Sequence, residues 1–396
     1  MGTPERIREV ARRIAARREE VDGLAVVVSA MGGETDRLIG LAREVNPNLP
    51  SREYDVLLSS GEQVSAALLA MSLEEMGVKA RSFLSFQLPV FTDGKHSAAL
   101  IKDFGAERLR EAFARGEVAV VAGFQGINQE GDITTLGRGG SDTTAVAMAA
   151  ALQADMCEIY TDVEGVYTCD PGICAEARKL QQISYDEMME LAVLGAKVLH
   201  TRCVEMAKRF GVNLLVRSSF NNEEGTMVCK EGDEVEGALI AGVTYTRGEA
   251  KISVLRVPDT PGVVYRIFAP LAEMGINVDM IIQNISRDNY TDVTFTVPEE
   301  DLDAAVKAVE TLARQIGADG VLYERDIAKV SIVGDGMKTH PGVASRMFGA
   351  LAEEGINIIM ISTSEIKISC VIDARYTELA VRVLHDAFEL GAAEQS

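Results

Sequence analysis

Tryptophan is absent from the 396 residues, aromatic residues make up only 5%, and there are four histidines. The chain therefore has little with which to build a base-stacking surface. Basic charge is also short: 39 Lys and Arg against 60 Asp and Glu leave a net charge of −21, which argues against a nucleic-acid partner. An anionic ligand must then be met by local positive groups or Mg²⁺ rather than by a favourable global field. The cysteines at 157, 169, 174, 203, 229 and 370 form no CxxC pair and have no histidine at metal spacing, so free thiols and no metal centre are expected. No apolar run reaches the length of a membrane span, and residues 1–20 read as a charged amphipathic helix rather than a signal peptide. A cytoplasmic protein without a membrane partner is the expectation.

What is present is enough apolar residue (47%) for two or three full cores. Buried strand-like runs at 24–28, 118–124, 157–161 and 213–217 alternate with helical patterns at 64–76, 143–153 and 185–194. Ser184 and Glu187 form a capping box before the last of these. This alternation predicts an α/β domain with a largely parallel sheet. A polar, glycine-containing stretch at 221–237 reads as the exit from it.

The run GRGGSD (137–142) lies between the 118–124 strand and the alanine-rich helix beginning near 143. Its glycines let backbone approach a ligand, and the helix turns unpaired N–H groups and its positive dipole end toward that space, which suits an anion. Arg138 supplies a planar fork for carboxylate or phosphate, while Ser141 and Asp142 can cap the helix or meet an amine or hydroxyl.

Beyond residue 241 the chain repeats itself. PGVVYRIFAPLAEMGINVDMI (261–281) aligns with PGVASRMFGALAEEGINIIMI (341–361) at thirteen of 21 positions, too many for chance, and strands at 251–255 and 329–333 precede them. Each unit reads strand, PG turn, amphipathic helix, GIN, strand, so two small βαββαβ modules are expected.

With both halves in view the chain resembles the aspartate kinases. The supporting motifs, in the family's order, are VVVSAMGGETDRL (26–38), SSGEQVS (59–65), VAGFQG (121–126), TTLGRGGSDTTA (134–145), YTDVEGVYTCDP (160–171) and GAKVLH (195–200). The PG/GIN units and STSEIKIS (362–369) match the regulatory half. The resemblance implies a carbamate-kinase-like three-layer α/β sandwich (1–230), with a mainly parallel sheet, followed by two ferredoxin-like ACT modules (241–320 and 321–396). It implies transfer of the ATP γ-phosphate to the side-chain carboxylate of L-aspartate, with Mg²⁺ held largely through the nucleotide. That reaction asks a protein mainly to position two anions and offset their repulsion.

By the same resemblance, Arg138, Gly139, Gly140, Ser141, Thr35 and Asp36 would hold aspartate, and Glu62 and Asp142 its ammonium group. ATP would lie against Ser29, Thr161, Asp162, Tyr167, Thr168, Asp170, Pro171 and Lys197. Lys197, Arg138 and Asp142 would serve catalysis, whereas His200 is read as packing or hydrogen-bonding structurally. Lysine or threonine would bind and inhibit at Asp259, Pro261, Gly262, Val263, Val264, Asn277, Val278, Asp279 and Gln283 of the first module. Val343, Ala344, Asn357, Ile358, Ser364 and Glu365 would line the site in the second. Backbone groups at the PG turn and GIN strand can satisfy an amino acid's carboxylate and ammonium, and Asp279 can meet a cationic side chain. A homo-oligomer assembled through the ACT modules is also implied. The family usually carries arginine where Gly172 stands here, and a KFGGT-like strand before the point at which this chain starts. A missing strand predicts unpaired backbone beside 24–28 and low activity. The alternative is a catalytically silent regulatory subunit or amino-acid sensor.

Overall fold

Two short runs of alanine and valine, Ala25–Val28 and Val118–Ala122, pair in parallel in the first of two compact units. The protein was studied as a computed structural model that describes residues 1–396 apart from 49–50, 197, 231–238, 286–288, 339 and 393–396. The first unit comprises Met1–Val166, Gln181–Met189 and Lys197–Gly232, and the second Tyr167–Leu180, Glu190–Ala196 and Asp233–Ser396.

In chain order the first unit contributes α1 (Pro4–Arg18), β1 (Ala25–Val28), α2 (Glu34–Val45), α3 (Ser51–Glu75), β2 (Ala80–Phe83), β3 (Val90–Thr92), β4 (Ile101–Phe104), α4 (Glu107–Ala114), β5 (Val118–Ala122), β6 (Gln125–Ile127) and β7 (Ile133–Thr135). Then come α5 (Gly140–Leu152), β8 (Cys157–Thr161), β9 (Gln182–Ser184), α6 (Tyr185–Val193, whose last residues fall in the second unit), α7 (Thr201–Phe210), β10 (Leu214–Ser218) and β11 (Thr226–Cys229). The sheets run β1-β5-β2, β8-β10-β11-β9 and β4-β3-β6-β7. The first is wholly parallel, as the unbroken apolar runs require, and the other two mix both senses. β1 pairs only with β5 and so forms the edge of its sheet. The Ser184/Glu187 capping box is formed, with reciprocal bonds of 3.1 and 3.2 Å.

Helix α3 departs from expectation. It begins at Ser51, not near Val64, so SSGEQVS lies in its interior and Glu62 is no first-turn acid. Its early turns carry no apolar stripe because the buried face there holds Asp55, Ser59, Glu62 and Ser65, at helical spacing. By length and composition it could cross a membrane, contrary to the expectation, but 56% of its apolar window is buried within the fold, where Ala66, Leu69, Ala70 and Leu73 join a core cluster.

The second unit is built on one antiparallel sheet. Its elements are β12 (Gly242–Pro258), α8 (Val263–Glu273), β13 (Ile281–Ile285), β14 (Tyr290–Pro298), α9 (Leu302–Ile316), β15 (Gly320–Val333), α10 (Val343–Glu353), β16 (Met360–Thr363), β17 (Lys367–Asp373) and α11 (Thr377–Ala387). Strand order is β13-β14-β12-β15-β17-β16. Both repeats are βαββαβ, but they are not simply consecutive. The later arm of β12 closes the first repeat, whose core holds Ile252, Leu271, Phe295 and Val309. The earlier arm, where Gly242 faces Val333 and Val243 faces Ile332, supplies the last strand of the second repeat, and Val243 packs with Ile332, Met347, Cys370 and Leu384. The internal repeat reveals each strand and helix, yet not which copy receives the strand that precedes both.

This earlier arm also holds residues 190–196. The Leu194 carbonyl accepts from the Thr244 and Thr246 hydroxyls, both at 3.0 Å. Gly195, at φ +119°, lies so close to Tyr245 that a Cβ would sit 2.2 Å from its carbonyl oxygen. Lys367 adds a 2.8 Å ion pair with Glu190. Val243→Ala is expected to cost on the order of 1–3 kcal/mol. Amide exchange should then accelerate in β17 and the later half of β15 while β14 stays protected; equal loss in both repeats would contradict the interleaving.

Candidate active site

The carboxyl ends of β1 and β5 meet the N-terminus of α5, and three glycines make the meeting close. A Cβ on Gly123 would lie 3.0 Å from Ser141 and 2.8 Å from Val27. On Gly140 it would strike the Phe124 ring at 2.7 Å, and on Gly139, at φ +66°, it would fall 2.4 Å from His200. Larger residues would push the helix end away from the strand ends, where ligands bind in open α/β sheets. Gly139 is itself the N-cap, so neither Ser141 nor Asp142 caps the helix, and α5 lacks a side-chain capping bond. The Thr144 hydroxyl accepts from the Phe124 N–H at 3.2 Å.

Glu62 enters from α3. Gly61 lets that helix close on Ala30, just past β1, to a separation that would leave a Cβ 2.9 Å from the Ala30 methyl. One Glu62 oxygen accepts from the Ala30 N–H at 3.1 Å; the other is buried without a hydrogen-bond partner. Burial outweighs the backbone hydrogen bonds and pushes the carboxyl up to about 7. Ser29, exposed, and the first turn of α2, with half-buried Thr35 and exposed Asp36, flank the same loop. An acidic acceptor and a helix N-terminus thus meet at the ends of β1 and β5, with the exposed Arg138 two residues before that helix begins. Among the described residues Arg138 has no ion pair, which leaves its guanidinium free for a ligand anion.

Asp142 sits in different company. Burial raises its carboxyl above the ordinary range, opposed by His200, and Cys157 and Cys203 lie within its electrostatic reach. His200 accepts from the Arg202 N–H at 3.3 Å as the N-cap of α7, the structural role expected of it.

The residues expected to meet the nucleotide divide between the units. Thr161 ends β8 in the first, its hydroxyl 3.1 Å from the exposed Asp162 carboxylate. Tyr167, Thr168, Asp170 and Pro171 belong to the second. Thr168 is a correction: it is buried at 1% exposure, its hydroxyl bonds His385 Nε2 and the Arg178 N–H, and its carbonyl accepts from Val243. Its polar groups serve the core, not a ligand. The Asp170 carboxylate is occupied by the Gly172 N–H and the Tyr245 hydroxyl. Lys197 lies outside the described residues.

Asp55 escaped notice in the sequence. Wholly buried, it accepts from five donors: the N–H and hydroxyl of both Ser97 and Thr135, and His96 Nδ1. It therefore fixes the end of β7, from which the chain enters GRGGSD. Its spacing of two turns from Glu62 was the available signal.

In the expected effector region Asp259, Pro261, Gly262, Asn277, Gln283, Ser364 and Glu365 are exposed, Val263 and Val343 are buried, and Val264, Val278, Ala344 and Ile358 are half-buried. Asn357 is exposed and lines a cavity of about 540 Å³ with Lys251, Glu324 and Arg375. Asp279 is not free: it pairs with Lys329, a buried lysine that also contacts Glu249 at 3.2 Å. Burial alone would lower the Lys329 ammonium, but these two carboxylates outweigh it and hold it above its usual value.

Known proteins match both parts of the chain. Residues 1–218 match the amino acid kinase family, and residues 252–314 and 330–388 match ACT domains. The aspartate kinase of Pseudomonas fluorescens (strain SBW25) is 52% identical over 396 residues, covering 99% of this chain and 96% of that protein. The chain belongs to the aspartate kinase family. Two crystal structures of E. coli aspartokinase III, each 25% identical and matched over 96% of both chains, share the architecture. The complex with aspartate and ADP (R-state) superposes with a TM-score of 0.76, and that with lysine and aspartate (T-state) with 0.75.

The Glu62 carboxyl gives this family member a pH signature. Its folded value lies above its value of 4.5 in the open chain, so the stability it contributes is present below pH 4.5 and lost as pH rises through about 7. Glu62→Gln should remove that loss, on the order of 3 kcal/mol at pH 8. Ligand-free melting from pH 5 to 8 should show a flatter slope in the variant; parallel curves would mean that Glu62 ionises freely.

Proposed function

We propose that the chain transfers the γ-phosphoryl group of ATP to the side-chain carboxylate of L-aspartate, giving ADP and 4-phospho-L-aspartate at the head of lysine, threonine and methionine synthesis. A carboxylate oxygen attacks the γ-phosphorus as its bond to the β,γ-bridging oxygen breaks. The observation that carries this reading is the unpaired, buried Glu62 oxygen beside the N-terminus of α5 and exposed Arg138. An amino acid's ammonium answers the first and its carboxylates the second. The aspartate and ADP bound in the E. coli relative support it, as do relatives carrying both halves, which disfavours a silent regulatory chain. Mg²⁺ arrives on the nucleotide. Among the described residues the one cluster of three metal-binding side chains is a Cys-Cys-His set, too soft for Mg²⁺, so phosphate oxygens are its natural ligands. Six free cysteines fit a reducing cytoplasm.

Hydroxamate formation from aspartate and ATP tests the activity. In that assay Arg138→Ala should lower kcat/KM for aspartate more than tenfold, since deleting a charge-assisted hydrogen bond and leaving the ligand's charge unpaired costs on the order of 2–4 kcal/mol. Unchanged kcat/KM would remove Arg138 from the site.

Inhibition by lysine, threonine or both, bound at the repeats, is part of the same proposal, supported by the lysine bound in the T-state relative. Because Asp279 already neutralises Lys329, a cationic effector must share that carboxylate, and Glu249 keeps a buried unpaired oxygen to take up the lysine ammonium. Calorimetry on the whole chain should show a coupling with aspartate binding of roughly 1–3 kcal/mol. No heat from either amino acid would end the regulatory reading. We also infer a homo-oligomer formed through these modules. The two edge strands β13 and β16 carry Ile281 and Ile361, 51% and 40% exposed at matching repeat positions, and exposed apolar edges favour pairing with a second copy.

A further inference from the structure

One cluster in the second unit has no part in phosphoryl transfer. Cys169 and Cys174 stand at either end of a turn, and His385 comes from the last turn of α11. Their donor atoms all lie within 4.8 Å of one another, and the three side chains are 4%, 3% and 1% exposed. His385 Nδ1 is 3.5 Å from Cys174 Sγ, and its Nε2 is 2.9 Å from the Thr168 hydroxyl.

We propose that Cys169, Cys174 and His385 hold a zinc ion that ties the turn at 169–174 to α11. Two thiolates and an imidazole are a donor set that selects zinc over the hard cations. The spacing fits: zinc–sulfur and zinc–nitrogen bonds of about 2.3 and 2.0–2.1 Å at a tetrahedral angle separate the donors by roughly 3.5 Å. The far side of the ring is set as metal-bound histidines require. Thr168 Oγ1 is itself fixed by the Arg178 N–H at 2.9 Å, and it orients the imidazole so that Nδ1 meets the sulfur. A thiol–imidazole hydrogen bond accounts for Cys174, and the Cys169 sulfur meets the Cys174 thiol and, at 3.9 Å, the Asp170 carbonyl. No other His, Cys, Asp or Glu among the described residues joins the group, so a backbone oxygen or a water completes the tetrahedron.

The test is metal content of the whole chain, purified under reducing conditions without chelator and reconstituted with zinc. About one zinc per chain is expected by mass spectrometry, with a lower Tm after chelation and recovery on adding zinc. Cobalt in place of zinc should give a thiolate-to-metal charge-transfer band. Cys174→Ser and His385→Asn should lose the metal, whereas Cys229→Ser should keep it. Should the two variants fail to fold, the cobalt spectrum of the unaltered chain decides alone. Background metal with no cobalt band would overturn the proposal, and so would a Cys169–Cys174 disulfide in the reduced preparation.

Discussion

A carboxylate buried with one oxygen unanswered is the constraint around which the kinase unit is arranged. Desolvating Glu62 is unfavourable, and nothing in the protein fully offsets it. Gly61 brings the helix close enough for the Ala30 N–H to reach one of its oxygens. Two turns earlier on the same helix, Asp55 is equally buried but saturated by five donors. One helix face thus carries a carboxylate completed by the protein and another with one oxygen unanswered. The first holds the loop that leads into GRGGSD.

The parts legible in the sequence were those whose chemistry is local. GRGGSD announced itself because Gly139 must adopt a positive φ and Gly140 must touch Phe124, demands that only glycine meets. The capping box and the central strands followed from short-range rules. Less legible was anything decided by distant partners. The start of α3 was hidden because its buried face is polar, which erases the apolar period. Thr168 carries the family's nucleotide-loop pattern, yet its hydroxyl is turned into a core completed by α11. His385 gave no hint of meeting two cysteines more than two hundred positions away. The repeats were plain, but the strand that completes the second copy lies before the first, where the period gives no sign of it.

Residues 190–196 illustrate the same point for regulation. They precede Lys197 in the chain, but their hydrogen bonds go to Thr244, Thr246 and Lys367. The polypeptide crosses between the units several times before the last crossing commits it to the repeats. Residues 190–196 are thus held by the sheet of the repeats although the chain on either side of them belongs to the first unit.

The interleaving of β12 and β15 also sets an order in time. Gly242 cannot find Val333 until everything between them has been made and brought back on itself, so closing the second repeat spans the longest loop in that sheet. The first repeat, whose strands are neighbours in sequence, shortens that loop when it folds. One copy of the duplicated module thus acts as a folding template for the other, and the arm at 242–247 stays unpaired until residues 328–333 reach it.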